Sequence, residues 1–297
     1  MTIRVERSWQ ALLARLQDDR QWRSIIVLGP VDSGKTTLCR YLGRELAKSH
    51  RTAAIDCDPG QSVLGPPAAL GLAWEPWDGK RVSALRFVGS TTPSGHLLQT
   101  LTGVKRLVDR ASEDGAQRIV LDSSGYGSTG ALREFHYQTL DLLEPDYLVA
   151  LQQADELEPL LGSFARRVDL EVCRLPISQA VVGRDPTERR AYRHRKFRQY
   201  FEGAAVRTLS LDGVGFHGMV PATDSPERFR TRLVALCDRR GFVVVMGIIE
   251  GLRLDEGCLE LYAPPFAASQ VASVQLGSIR LDRDGRELYY GPPGGGR

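Results

Sequence analysis

The segment Gly29-Pro-Val-Asp-Ser-Gly-Lys-Thr36 restricts this chain more than any other feature. It fits G-x-x-x-x-G-K-[ST] at every fixed position, and its flanks are the ones the pattern needs. Before it stands the apolar run Ser24–Leu28. After it, Leu38, Tyr41, Leu42 and Leu46 recur at helical spacing. Glycines at the fixed positions let the backbone curl so that successive N–H groups converge on phosphate oxygens. The helix that follows adds the partial positive charge of its N-terminus. Such a segment is a triphosphate-binding loop, and a chance glycine-rich turn would lack both flanks. Gly29, Pro30, Val31, Asp32, Ser33, Gly34, Lys35, Thr36 and Thr37 are therefore expected to line the nucleotide. Lys35 is expected to bridge the β- and γ-phosphates, and the Thr36 hydroxyl to ligate Mg²⁺.

The rest of the first two-thirds of the chain alternates strands with helices. Short apolar runs at 24–28, 52–56, 84–88, 118–122 and 147–151 read as strands buried on both faces. Helical periodicity fills 7–19, 36–49, 96–110 and 131–143 between or before them. This predicts an α/β fold, a P-loop NTPase with a doubly wound, mostly parallel sheet. From about residue 206 the text changes to β-like runs with frequent glycine (206–211, 242–249, 258–263, 271–281), with helical spacing only around 226–239. The expected organisation is an N-terminal helical segment at 1–22, a P-loop domain at 23–205 and a small β-rich domain at 206–297. The tail 291–297 reads as disordered.

Two strands end in acidic turns, Asp56-Cys-Asp58-Pro-Gly60-Gln61 and Asp122-Ser-Ser-Gly-Tyr126. Both aspartate sets should emerge at the carboxyl edge of the sheet, beside the phosphate loop. A triphosphate site needs carboxylates there, to position Mg²⁺ and to receive a proton from an acceptor. An aspartate before Pro-Gly can also merely cap a turn. Two such turns beside one phosphate loop favour the functional role. Residues 184–201 hold seven Lys/Arg with interleaved aromatics and turn helical after Pro186. A basic helix of this kind can close over phosphates and neutralise the charge on a transferring group, or grip a phosphodiester backbone.

Composition adds exclusions. The five cysteines are scattered, with no C-x-x-C pair, so neither a disulfide framework nor a zinc site is indicated and a reducing, cytoplasmic setting is expected. No run approaches the length of a secretory signal or a membrane span. A net charge of +3 does not by itself demand a nucleic-acid partner.

Taken together, these segments resemble the polynucleotide 5′-hydroxyl kinase family, which includes the kinase subunit of the eukaryotic pre-mRNA cleavage complex, nucleolar ribosomal-RNA-processing kinases and archaeal homologues. Its phosphate loop begins G-P with an acidic residue three before the lysine, here Gly29-Pro30 and Asp32. Its D-x-D-x-G-Q stands as Asp56–Gln61 and its T-P-x-G-H clasp as Thr92-Pro-Ser-Gly-His96. Its aromatic turn stands as Asp122–Tyr126, with tyrosine where tryptophan is usual, and its arginine lid as Arg184, Arg189, Arg193 and Arg198–Phe201. The resemblance spans about 23–203, and 275–281 looks like a further family strand. The N-terminal segment is far shorter than the extra domain of the eukaryotic relatives.

The resemblance implies roles that the residues alone leave open. Asp58 would be the general base, and Lys35, Asp32, Arg184, Arg189 and Arg193 would complete the catalytic group. Thr36, Asp56, Gln61 and Asp122 would serve Mg²⁺. Gln61, Thr92, His96 and Tyr126 would meet the acceptor, an RNA or DNA with a 5′-hydroxyl end, expected to be single-stranded. The implied activity is transfer of the ATP γ-phosphate to that hydroxyl. Three rivals share the phosphate loop: a switch-type NTPase, an adaptor that merely holds ATP, and a small-molecule kinase. The clasp and basic lid have no evident purpose in a plain switch, and the presence of every catalytic side chain argues against an adaptor. A small-molecule kinase would not need a long basic helix with interleaved aromatics.

Overall fold

The structure, a computed structural model, describes residues 4–75, 81–127, 129–218, 226–253 and 255–288. The expected tail at 291–297 lies outside the described residues. A first unit runs α1 (Arg7–Asp18), β1 (Ser24–Leu28), α2 (Lys35–Leu46), β2 (Thr52–Asp56), β3 (Ala69–Trp74), β4 (Ala84–Phe87) and α3 (Leu97–Glu113). It continues through β5 (Arg118–Asp122), α4 (Gly130–Leu143), β6 (Tyr147–Gln152), the one-turn α5 (Glu158–Leu161), β7 (Glu171–Pro176) and α6 (Pro186–Tyr200).

Its sheet has the order β4-β3-β2-β5-β1-β6-β7. All neighbours are parallel except β3, which runs antiparallel to both β2 and β4. Burial alternates along β1: Ile26 and Leu28 join the core beneath α3, α4 and α5, while Ile25 and Val27 join that beneath α1 and α2. Helices on both faces explain why the central strands read as unbroken apolar runs. The sheet reverses direction of growth at β1 and β5, and the phosphate loop opens at that crevice, where open α/β sheets bind ligands.

The second sheet comprises β8 (Ala205–Ser210), β9 (Gly215–Gly218), β10 (Arg232–Cys237), β11 (Val243–Arg253), β12 (Cys258–Ala263) and β13 (Ser273–Arg280), ordered β8-β12-β11-β10-β13-β9. The helical spacing expected at 226–239 is overturned. That stretch is a short 3₁₀ turn at Pro226–Arg228 followed by β10. Leu233, Val234, Ala235 and Leu236 are all fully buried between β11 and β13, and a short apolar run cannot reveal its period by itself. Strands β3, β7 and β9 also escaped the sequence reading; β3 is built largely of alanine, glycine and leucine, which carry little strand preference.

One face of the second sheet encloses its own core around Phe229, Val245 and Leu261. The other face shares a core with the first unit: Leu233, Met246 and Ile248 pack on Phe197 and Phe201 at the end of α6, and on Ala68, Ala69 and Phe87. Burying a Phe197-sized side chain contributes about 1.5–3 kcal/mol. The first unit and the second sheet are thus joined by apolar packing.

Candidate active site

The phosphate loop is shaped by residues that no larger side chain could replace. A β-carbon at Gly29 would stand 2.6 Å from Ser33 Oγ and 2.8 Å from the Leu151 carbonyl. Gly34 caps α2 with φ of 89°, a left-handed conformation suited to glycine. Lys35 is buried, and its ammonium donates to the carbonyls of Gly29 (3.0 Å) and Pro30 (2.6 Å). Burial lowers its pKa, against the opposing pull of Asp122 and Asp58. The lysine therefore sits folded onto the loop's own oxygens, beside the carboxylates that the sequence placed there.

Those carboxylates divide the work. Thr36 Oγ1 donates to Asp122 Oδ2 at 2.6 Å, while Asp122 Oδ1 is buried without a hydrogen-bond partner. Burial raises the Asp122 carboxyl above the usual range, partly offset by Thr36 and Lys35. Asp56 is raised too, by burial and by the negative charge of Asp122. Its oxygens accept from the backbone N–H groups of Asp58 (3.1 Å), Val63 (2.5 Å) and Leu64 (3.0 Å). Asp56 thereby builds the turn that carries Asp58. In turn, Asp58 Oδ1 accepts from the N–H of Gly60 (2.8 Å) and Gln61 (3.1 Å).

The clasp is brought against this turn. A β-carbon at Gly60 would lie 2.4 Å from the Thr91 carbonyl, so only glycine admits the approach. Thr92 is exposed, with its hydroxyl accepting from Ser94 N–H at 3.3 Å. His96 caps α3; it is buried, its Nδ1 has no partner, and burial lowers its pKa. Tyr126 N–H donates to the Gly29 carbonyl at 2.9 Å, which ties the aromatic turn to the phosphate loop.

The lid helix closes the other side. Asp185 and Glu188 form a reciprocal capping box that starts α6. Asp32, at φ 55°, accepts from Arg184 N–H (2.9 Å) and from Arg189 Nη2 (2.7 Å). Burial opposes the charge on Asp32, but these two donors hold its pKa below the usual carboxylate range. Arg184 Nη1 also reaches Gln61 Oε1 at 3.4 Å. Arg193, expected beside them, is not brought to the phosphate loop. It pairs bidentately with Glu287, both side chains nearly buried at 14% and 10% exposed.

Three supporting residues were given no site role by the sequence. Tyr192 Oη donates to the Ser62 carbonyl (2.9 Å) and Lys196 Nζ to that of Val63 (3.2 Å), seating α6 on the Asp56–Leu64 turn. His136 on α4 lies under the aromatic turn, its ring 5.4 Å from that of Tyr126 and in contact with the Gly125 backbone. Tyr192 and Lys196 share a helical face at spacing four, which could have marked a docking stripe. His136 had no comparable signal.

The residues present fit a nucleotide with a divalent cation. Ser33 Oγ and Asp122 Oδ1 are buried polar atoms without partners at the mouth of the loop, and Lys35 contacts carbonyls that a phosphate can replace. Among the described residues no group of three or more His, Cys, Asp or Glu could hold a metal alone. That agrees with Mg²⁺ chemistry, which relies on one or two protein ligands plus phosphates and water.

Fold and site together define a P-loop phosphotransferase with a clasp and an arginine lid. Residues 29–203 match the family described as mRNA cleavage and polyadenylation factor CLP1 P-loop, and the chain belongs to that family. It is similar to the polyribonucleotide 5′-hydroxyl-kinase of Pyrococcus abyssi (26% identical, 92% of each chain covered). It is likewise similar to that of Pyrococcus furiosus (28% identical, 89% of each covered). A CLP1 homologue of Culex quinquefasciatus is 27% identical over 64% of this chain and 48% of its own length. Among solved structures, wild-type Clp1p in complex with Pcf11p superposes with a TM-score of 0.71 at 14% identity. That match covers 92% of this chain and 78% of the other, and the overall fold is therefore shared. Among the described residues no helix is long and apolar enough to cross a membrane.

Proposed function

We propose that this chain is a polyribonucleotide 5′-hydroxyl kinase, moving the γ-phosphoryl group of ATP onto the 5′-oxygen of RNA. One observation carries the reading. Gly60 lets the clasp backbone at Thr91 abut the turn that presents Asp58, which in turn is close enough to Lys35 to act on its charge. An acceptor hydroxyl held by the clasp would thus face the carboxylate beside the phosphate loop.

In the reaction the 5′-oxygen forms a bond to the γ-phosphorus as the bond to the bridging β,γ-oxygen breaks, and ADP leaves with that electron pair. Asp58 takes the hydroxyl proton. Lys35 leaves the carbonyls of Gly29 and Pro30 for the phosphates. Arg189, poised on Asp32, and Arg184, whose guanidinium reaches Gln61, spread the developing charge. Thr36 and Asp122, with Gln61 through water, would hold Mg²⁺, which supplies charge neutralisation between the phosphates. Asp56 acts through the turn it organises. Thr92 and His96 position the acceptor terminus, and Tyr126 offers a stacking face. Five free thiols, four of them buried, agree with the cytoplasmic setting we assign. A switch-type NTPase gains nothing from the clasp, and the kinase relatives do not support it.

The test is transfer of label from γ-labelled ATP to a 5′-hydroxyl RNA decamer, with a 5′-phosphorylated decamer as control. Labelling of the first alone, lost in Asp58→Asn with ATP binding retained, is the expected result. ATP hydrolysis without labelled RNA would sink the proposal. Matched RNA and DNA oligomers then rank the acceptors.

A further inference from the structure

At the junction of the two sheets, far along α3 from the clasp, guanidiniums from three elements gather on one ring. Phe242 is 5% exposed, and Arg86 of β4, Arg110 of α3 and Arg240 of the β10–β11 turn lie 5.7, 5.6 and 5.6 Å from its centroid. Arg106, one turn before Arg110, donates to the Arg240 carbonyl at 3.1 Å, and Arg86 donates to the same carbonyl at 3.3 Å. Beside them opens a cleft of about 510 Å³ whose lining includes Arg110, Asp238, Arg239, Arg240, Phe242 and Gln270.

Local carboxylates leave a surplus of positive charge. Glu113 pairs with Arg240 and Asp114 with Arg110. The Asp238 carboxylate accepts from the N–H groups of Arg240 and Phe242. Among the described residues Arg86, Arg106 and Arg239 enter no ion pair. Arg86 is partly buried, its Nε has no partner, and burial together with Arg106 lowers its pKa. Stitching the turn to α3 needs only a few of these donors. A cluster of like charges around an open cleft is completed by an anion.

We propose that this junction binds the phosphodiester backbone of the acceptor RNA, several nucleotides downstream of its 5′ end. The identity of the ligand rests on the kinase reading; the anion site rests on the arginines. Geometry favours RNA, because α3 starts at the clasp and carries Arg106 and Arg110 away from it. From Leu97 the separation is roughly 14–20 Å at about 1.5 Å per residue. A stacked strand at about 3.4 Å per nucleotide covers that in about four to six nucleotides. Acceptors longer than this reach both sites, and a trinucleotide reaches only the clasp.

The test uses the full chain with Arg106→Gln and Arg239→Gln combined, both exposed side chains. Binding of a fluorescent 5′-hydroxyl RNA decamer is followed by anisotropy across a salt series, and kcat/KM is compared for decamer and trinucleotide. Expected are about tenfold weaker decamer binding at low salt and a salt slope shallower by about 1.4, the value for two lost single-strand phosphate contacts. The kinetic preference for decamer over trinucleotide should fall by a similar factor. A parental affinity and slope, or equal losses on both acceptors, overturns the proposal, as does capture of an acidic protein with no RNA dependence. If the parental chain transfers no phosphate at all, the kinase reading fails while the anisotropy series still decides the arginine site.

Discussion

Gly277 of β13 lies against Gly89, the residue after β4, with no room between them for a side chain. A β-carbon at Gly277 would stand 2.8 Å from the Gly89 carbonyl, and one at Gly89 would stand 2.6 Å from Gly277 Cα. Ser278 N–H donates to the Gly89 carbonyl at 2.8 Å, and Gln275 Nε2 reaches the Phe87 carbonyl at 3.4 Å. Since Ser90 to His96 follow directly, β13 buttresses the clasp. The second sheet therefore supports two parts of the site, the clasp through β13 and the lid through Phe197 and Phe201.

Gly277→Ala should push the clasp away from the Asp58 turn. Displacement of a reacting group by an ångström can cost about 10²-fold. The expected result is a 10–100-fold lower kcat/KM for RNA, on the order of that principle, with ATP affinity at the parental level. Steady-state kinetics and nucleotide titration separate the two. Equal losses in RNA and ATP parameters would mean general unfolding instead.

Lys35→Met removes the one ammonium seated among Asp122, Asp58 and the loop carbonyls. Loss of a preorganised electrostatic partner costs roughly 10²–10³ in rate. Single-turnover measurements at saturating ATP should show that loss. A variant within threefold of the parent would place the transferring phosphate elsewhere.

The phosphate loop, both acidic turns and the lid were legible because each is a local pattern whose chemistry fixes its residue types. Asp32, Lys35, Asp58 and Asp122 do converge, because their strands share one edge of one parallel sheet. Partners far apart in the chain were not legible. Glu287 meets Arg193 across 94 positions, and His136 supports Tyr126 from the next helix. Strand β10 misled for another reason: Leu-Val-Ala-Leu buried on both faces has no alternation to read. The second sheet's role was hidden in two glycines, whose meaning is only the closeness of another backbone.

The Arg193–Glu287 pair predicts a strut that fixes α6 to the C-terminal turn. Removing one partner of a nearly buried pair is destabilising, at a cost of about 3 kcal/mol or more. Arg193→Met should therefore lower the unfolding free energy, and adding Glu287→Met should restore most of it. Denaturant titrations of both singles and the double give the coupling energy. If the double variant regains stability but stays catalytically dead, Arg193 serves the triphosphate as well as the fold.

His136 gives the chain a pH dependence with a definite sign. Burial holds its pKa down at about 4, with the Gly125 backbone contact opposing. A histidine depressed in the folded state contributes stability that is complete above the unfolded value near 6.5 and is lost as pH falls through the folded value. The span of roughly 2.5 pH units corresponds to about 3 kcal/mol, an upper figure for one site. His136→Phe keeps the ring against Tyr126 and removes the titration. Between pH 7 and 4.5 its unfolding free energy should fall less steeply than the parent's by about 2–3 kcal/mol. Parallel curves for the two proteins would mean that the imidazole titrates in the fold as it does in the unfolded chain, and that burial does not hold it neutral.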